Sequence, residues 1–408
     1  MRVLILADGR SPITKRWLEG LKQLGHEIIF VSSYPCSRLD SMDDFYILPI
    51  AFANFAGSQT AGQRNAPEIQ PKTRSRRGLI KRFRSLFLKL RYWLGPLSLP
   101  YYGWRLNRIV KATQPDLVHA LRIPFEGMTA AFLPKRVPFA VSIWGNDLTL
   151  HASGSGLMRR MTLRTLERAD GLAADTRRDI RLGKLWGFSA EGRTLVVPGN
   201  GGIDITAVRI AAESGASGLG WLPFNRPLVV NPRGFRPGSV RSDTFFRSIP
   251  LILSQRPDAF FLCCSMAEQP EALAWVNQLK IEKQVLLLPV LPQESLWAIF
   301  RRAKVTVSVS EHDGTPNSLL EAMTCGCFPV AGDIESMREW ITPGVNGMLI
   351  NPDSPEELAT AVVDALQNES LRVSAAALNL EKIREKAELS VIQTAIEIFY
   401  NQLKRQSD

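Results

Sequence analysis

Short apolar runs alternate with helical patterns along this chain, which predicts an α/β protein of two Rossmann-like domains facing each other across a cleft. Three observations carry the prediction. The chain has 408 residues, too many for one ordinary core and suited to two domains of roughly 200 each. Its apolar runs of strand length fall into two sets. Between them lies Ala212–Asn225, which holds Gly215, Gly218, Gly220 and Pro223 and shows little apolar periodicity.

The first set of strands is predicted at Val3–Ala7, Glu27–Ser32, Leu117–Leu121, Phe139–Trp144, Gly171–Ala174 and Thr194–Val197. The second is predicted at Pro227–Asn231, Ala259–Cys264, Val285–Val290, Val305–Val309, Cys327–Ala331 and Met348–Ile350. Gly25 stands where the first helix must end, the usual place for a left-handed cap. Ser354-Pro355-Glu356-Glu357 reads as a helix start, with Ser at the N-cap, Pro next and Glu357 closing a capping box. Helices are expected over Pro355–Gln367 and Leu371–Leu403. The boundaries that follow are 1–205 for the first domain, 206–226 for a linker and 227–389 for the second domain.

Apolar residues make up 45% of the chain and charged residues 22%, the composition of a soluble globular protein. The net charge is +11, but twelve Lys or Arg and no Asp or Glu lie between Ile69 and Pro115, so the remainder is nearly neutral. A general nucleic-acid binder would be basic over a broader surface. A local basic patch fits an anionic membrane surface or partner better. On a helical wheel, Leu79, Ile80, Phe83, Leu86, Phe87, Leu90, Trp93 and Leu94 fall within one arc. Lys81, Arg82, Arg84, Lys89 and Arg91 lie opposite. This predicts a basic amphipathic insertion over about 69–111, able to lie on anionic lipid through residues 72–94 or to pack on the first domain.

The cysteines Cys36, Cys263, Cys264, Cys325 and Cys327 are odd in number and form no paired CxxC set, which reads as reduced core thiols. The N-terminal apolar run is too short for a signal peptide, and no stretch is long enough to span a bilayer. The expectation is a cytoplasmic protein, peripheral at the inner face of the plasma membrane if the basic helix binds lipid.

The stretch that carries chemistry is Ser310–Ala331. A strand, Val305–Val309, ends in the polar turn Asp313–Pro316, and Asn317–Thr324 then reads as a helix ended by Gly326. Ligands of parallel α/β sheets sit where strands end and helices begin. Gly314 allows close approach of backbone, and the free N–H groups of a first helical turn attract phosphate. Glu321 lies about one turn into the helix, where a carboxylate can accept from both vicinal hydroxyls of a ribose. No G-x-G-x-x-G follows a strand, so a dinucleotide site is unsupported. A strand–turn–helix with an acid is common, and on residues alone the ligand-binding and bland readings stand even.

The stretch resembles the E-x7-E signature of retaining glycosyltransferases of family four, which have the GT-B fold; here it is D-x7-E, Asp313 to Glu321. The resemblance implies that Glu321 holds the nucleotide ribose, that Gly314, Thr315, Pro316, Asn317 and Ser318 form the donor loop, and that Asp313 faces the sugar. Val229–Gly234 resembles the strand and Gly-Arg turn that opens the second domain. That implies a diphosphate-binding role for Arg233; the family's Lys is missing, with Arg241 the nearest cation and Arg236 a second option. Pro198–Asp204 resembles the turn that closes the first domain, which brings Asn200 and Gly201 to the donor. Gly9 resembles the glycine loop after the first strand. Trp144-Gly-Asn-Asp147 falls where many relatives have a His beside the sugar, placing Trp144 and Asp147 in the cleft for acceptor or sugar. His119 and His312, also at strand ends, are further candidates, although a lone His there is more often structural.

The resemblance implies same-face transfer from a UDP- or GDP-linked sugar, used as co-substrate with no other cofactor and no metal; the sequence has no DxD motif. The implied partners are a nucleotide sugar and a glycan or lipid-linked acceptor in bacterial envelope or polysaccharide synthesis, with no nucleic acid. It also implies that the last helix, 390–408, crosses back to the first domain. The rival readings are a catalytically weak GT-B subunit that binds nucleotide or glycan in an assembly complex, and a GT-B enzyme of another reaction such as an epimerase.

Overall fold

The computed structural model describes residues 1–38, 42–51, 53, 91–223 and 225–404. They fall into two compact units. The first comprises Met1–Ala174, Asp179–Val196 and Gln393–Asp408, the second Asp175–Arg178 and Val197–Ile392.

The first unit holds one seven-stranded sheet: β1 Arg2–Ala7, β2 Glu27–Ser32, β3 Asp44–Ile47, β4 Leu117–Ala120, β5 Phe139–Ile143, β6 Gly171–Ala174 and β7 Arg193–Val196. Its order is β3-β2-β1-β4-β5-β6-β7, and every pairing is parallel. A parallel sheet is covered on both faces, so its strands are apolar at successive residues rather than at alternate ones. Val3, Leu4, Ile5 and Leu6 are all fully buried. The helices flanking this sheet include α1 (Pro12–Gln23) and α2 (Leu99–Thr113), with α3 (Gly156–Arg168) and α4 (Arg177–Leu185) further along. Helix α1 ends as foreseen: Gly25 takes φ +76°, and His26 N–H donates to Leu21 O.

The second unit holds a six-stranded parallel sheet: β8 Leu228–Asn231, β9 Phe260–Cys263, β10 Val285–Leu287, β11 Val305–Ser308, β12 Phe328–Gly332 and β13 Met348–Ile350. Its order is β10-β9-β8-β11-β12-β13. Its helices include α5 (Ile205–Ser214), α6 (Ser242–Gln255), α7 (Pro270–Leu279), α8 (Gln293–Arg302), α9 (Asn317–Thr324), α10 (Pro355–Gln367) and α11 (Glu369–Lys386). The last helix, α12 (Leu389–Leu403), runs from this unit into the first. Both sheets are Rossmann-like, with the strand order reversing once, between β1 and β4 and between β8 and β11.

All twelve predicted strands are present, and the sequence missed one. Strand β3 is a short sheet edge, partly exposed along its length. Its apolar residues, Phe45–Ile47, are few and lie beside an acid and a proline-containing turn, so pairing with β2 is what marks them as a strand. Three other expectations change. The segment 206–226 is helical over most of its length, as α5 and the 3-10 turn Gly215–Leu219. Val208 and Ala212 bury one face of α5, and contacts to α8 supply what its weak periodicity concealed. The helix expected at Leu371–Leu403 is two helices. Ala387 O accepts from Ile203 N–H at 2.7 Å and Leu389 N–H donates to Ile203 O at 3.0 Å, so a strand-like bridge interrupts the helical ladder. Ser354 caps α10 as foreseen, accepting from Glu357 N–H, but the Glu357 carboxylate accepts from Asn351 N–H instead of closing the box. Of the basic amphipathic segment, residues 69–90 lie outside the described residues.

Candidate functional sites

In open α/β sheets the ligand crevice lies beyond the carboxyl ends of the strands where the order reverses. In the second unit that point lies between β8 and β11, and the predicted donor residues gather there. Asn231 at the end of β8 accepts from Arg233 N–H through its side chain, at 3.1 Å, which shapes the turn. The Arg233 guanidinium, 7% exposed, forms an ion pair with Asp313 from the loop after β11. Ser310 Oγ donates to the same carboxylate at 3.2 Å, and Gly314 N–H donates to its other oxygen at 3.1 Å. Asp313 is thus held by three donors and faces Arg233, the residue expected to hold phosphate. Arg233 Nε is buried and has no partner among the described residues.

Arg236 is the second cation. Repulsion from Arg233 holds its pKa below the ordinary arginine value, burial adds to the effect and Asp313 opposes it. Two guanidinium groups and one carboxylate therefore share the mouth of this turn. Arg241 is a correction. Its guanidinium is engaged by Asp243, Glu311 and Asp353, and the hydrogen bonds to Asp243 raise its pKa. These three carboxylates tie the Arg241 guanidinium, 28% exposed, to the start of α6 and the 310–311 loop and compete with a diphosphate for it.

Helix α9 begins after Pro316, whose extended backbone (ψ 128°) leaves Asn317 as the first helical residue. Asn317 Oδ1 and Ser318 Oγ are buried and have no partner among the described residues, an arrangement that costs free energy unless another group supplies the hydrogen bonds. Glu321, 4% exposed, accepts from Gln293 Nε2 of α8 at 2.7 Å. Thr315 is a correction: its hydroxyl donates to Asp175 O at 3.0 Å and accepts from Trp340 Nε1 at 3.1 Å, so it fastens the loop. Gly314 and Pro316 are likewise buried backbone of that loop.

The turn Pro198–Asn200 packs on α9. Gly199 has φ +64°, and a Cβ there would lie 2.9 Å from Leu320 Cδ1 and 3.5 Å from Asn317 Oδ1. Gly201, φ 128°, continues the turn. The Asn200 side chain lies outside the description. Beneath α9, the Cys325 and Cys327 thiols are pushed up by burial, Cys325 to about 12, which keeps them inert.

In the first unit the order reverses between β1 and β4, and a cavity of about 310 Å³ opens there. Its walls come from strand ends: Asp8 after β1, Tyr34 after β2, Arg122 after β4 and Trp144 after β5, joined by Arg91 and Glu126. Gly9 does not line it. Gly9 N–H donates to Ser32 Oγ, and a Cβ would meet Cys36 Sγ at 2.4 Å, so this glycine permits the close packing of two loops. Trp144 lines the cavity. Asp147 is 1% exposed and accepts from Arg122 Nε at 2.8 Å and Trp144 N–H at 3.2 Å, so it aims Arg122 and Trp144 and meets no solvent. His119 is a correction. It is fully buried, with Tyr400 Oη 2.7 Å from one ring nitrogen and Ser142 Oγ 2.9 Å from the other, and burial pulls its pKa down to about 3. It joins α12 to the sheet as a neutral core residue.

The sequence reading missed Arg122 and Glu126. Their signal was weak: two charged residues flanking the apolar Ile123–Phe125 just past a strand. Glu126 is 6% exposed, accepts from Ser33 Oγ at 2.6 Å, and has a pKa raised by burial. Phe125 beside it takes φ 68°, a strained backbone of the kind that gathers at functional sites.

Two family descriptions match the chain. "Glycosyl transferase 4-like domain" matches residues 9–200 and "Glycosyl transferases group 1" matches residues 241–379. The D-inositol 3-phosphate glycosyltransferase of Thermobispora bispora is 25% identical over 251 residues, 58% of this chain and 57% of that protein. The chain thus aligns with little more than half the length of this curated relative. An uncharacterized glycosyltransferase of Methanocaldococcus jannaschii is 39% identical over 59 residues, 14% of this chain and 15% of its own. Among solved structures, the sucrose-phosphate synthase of Thermosynechococcus elongatus superposes with a TM-score of 0.72 at 14% identity, over 99% of both chains. Anabaena HepE in complex with UDP gives 0.70 at 15% identity, over 98% of this chain and 100% of that one. The fold is GT-B. The chain belongs to the group 1 glycosyltransferases.

Proposed function

We propose that the protein is a retaining, metal-independent glycosyltransferase that moves a sugar from a UDP- or GDP-linked donor to a glycan or lipid-linked acceptor in bacterial envelope or polysaccharide synthesis. The observation that carries this reading is the grouping at the β8/β11 crevice: Arg233, Arg236 and Asp313 at its mouth, with Glu321 one turn into α9. Two guanidinium groups suit a diphosphate, whose charge grows as it leaves. The unpartnered Asn317 Oδ1 and Ser318 Oγ, and the first-turn N–H groups of α9, supply further polar contacts for a nucleotide. Glu321 accepts from the ribose hydroxyls.

In this reading the C1–O bond to the diphosphate breaks as the acceptor oxygen bonds to C1 on the same face. The acceptor proton passes to the departing phosphate oxygen. The chain's part is positioning and charge stabilisation. The cavity of the first unit takes the acceptor, with Trp144 as an apolar wall and Arg91 as a cation that has no ion-pair partner among the described residues.

The test is a panel of nucleotide sugars scored for free nucleotide release, with and without envelope glycan extract. Release of one nucleotide, accelerated by extract and carrying retained anomeric configuration in the product, is the expected result. The Arg233–Asp313 pair favours a second reading, a nucleotide-binding assembly subunit, because Asp313 occupies the arginine that the diphosphate needs. Nucleotide binding without release under any condition would select that reading.

A further inference from the structure

Helix α2 buries Leu99, Gly103, Leu106, Val110 and Thr113 on the first unit. Its approach is close: a Cβ on Gly103 would lie 2.5 Å from Phe132 Cβ. The opposite face is unusual. Tyr101 and Trp104 are 57% and 56% exposed, and in the helical residues just before α2, Trp93 and Leu97 are 60% and 64% exposed. Spacings of three and four residues bring such positions to one face of a helix. The rings are mutually arranged: Tyr101 and Trp104 stack at 6.4 Å, and the Arg108 guanidinium lies over Trp104 at 5.2 Å. Further along the same exposed side come Arg105, Arg108 and Lys111.

Apolar side chains so exposed are individually ordinary, but four of them within twelve residues, beside exposed cations, mark an interaction surface. The charge selects its partner. No acid occurs between Ile69 and Pro115, so the face meets an acidic protein or an anionic bilayer on equal electrostatic terms. Composition separates the two. Tryptophan and tyrosine with an apolar body and a polar edge suit the headgroup boundary of a membrane, where arginine and lysine reach lipid phosphates. No helix among the described residues is long and apolar enough to cross a membrane, so contact would be in-plane.

We infer that this face, Trp93, Leu97, Tyr101 and Trp104 with Arg105, Arg108 and Lys111, docks the protein on the surface of an anionic lipid bilayer. Trp93 falls near the end of the segment 72–94 that the sequence offered to lipid, whereas Leu97, Tyr101, Trp104 and the three cations lie beyond it. The inference is independent of which sugar the protein transfers.

Cosedimentation of the full chain with phosphatidylcholine vesicles, with and without 30% phosphatidylglycerol, tests it. The expected result is binding to the anionic vesicles that weakens as salt rises. Trp93→Ser/Leu97→Ser/Tyr101→Ser/Trp104→Ser should lose it. Arg105→Gln/Arg108→Gln/Lys111→Gln should lower partitioning by roughly one to two orders of magnitude, from the attraction typical of a cation near such a surface. Nucleotide affinity and melting temperature of both variants should match wild type, which separates this inference from the transferase reading and from misfolding. Three results would overturn it: wild type that stays in the supernatant, an aromatic variant that sediments like wild type, or a wild-type dimer that the aromatic variant dissolves while lipid has no effect.

Discussion

Replacing Glu321 by Ala should remove the ribose clamp while leaving the fold intact. The side chain is 4% exposed and its oxygen accepts from Gln293 Nε2 at 2.7 Å. Gln293 is itself exposed, so its amide returns to water when the partner goes, and little stability is lost there. Ala also has the best intrinsic helix preference, which offsets part of the lost packing within α9. The affinity loss is set by two hydrogen bonds from vicinal hydroxyls to a carboxylate, each of about 1.5–3 kcal/mol. Their loss should weaken nucleotide binding by roughly a hundredfold or more. Calorimetric titration with UDP and GDP gives the wild-type preference and the variant's loss in one series. Repeating it with the 2′-deoxy nucleotide sharpens the attribution. Wild type should discriminate against the deoxy form, whereas Glu321→Ala should bind both forms alike. Unchanged Kd in the variant, or discrimination that survives it, would refute the assignment of Glu321 to the ribose.

Three further outcomes follow from the geometry. Asp313→Asn removes the one carboxylate from the Arg233–Arg236 pair, so free nucleoside diphosphate should bind about three- to tenfold tighter while sugar transfer slows; titration and turnover measured together would expose a uniform loss, which contradicts the reading. Gly332→Ala places a methyl 2.4 Å from Ser310 O, a backbone atom that cannot swing aside, so it should cost about 1–3 kcal/mol and weaken nucleotide binding by shifting the Asp313 loop; a variant with wild-type melting and affinity would show the loop to be independent of β12. His119 has a folded pKa of about 3 against an ordinary value near 6.5, so the unfolded chain binds the extra proton first. Stability is therefore full above about pH 6.5 and falls as pH drops toward 3, by about 2 kcal/mol between pH 7 and 5; melting curves of His119→Gln should fall less over that interval than wild type, and parallel curves would contradict the assignment.

Strand periodicity made both sheets legible because a parallel sheet buried on two faces demands unbroken apolar runs, as in Val3–Leu6 and Leu228–Val230. Strand β3 lacked that demand at its exposed edge. The donor stretch was also legible, since the strand, turn and first helical turn around Asp313–Ser318 are contiguous in sequence. What the sequence could not hold was the pairing of distant charges. Arg241 and Arg236 are a few residues apart and look alike, yet Asp353 and Glu311 fold against one while Arg233 crowds the other. His119 and Trp144 both close strands, but Tyr400, remote in sequence, fills the space beside His119 and leaves Trp144 at a cavity. Local pattern determined most of the elements, the strand ends and the position of the turn before α9, because those depend on neighbours within a few residues. Tertiary packing alone decided which cations remain available and which polar groups are enclosed, because charge compensation and burial are set by residues brought together from across the fold.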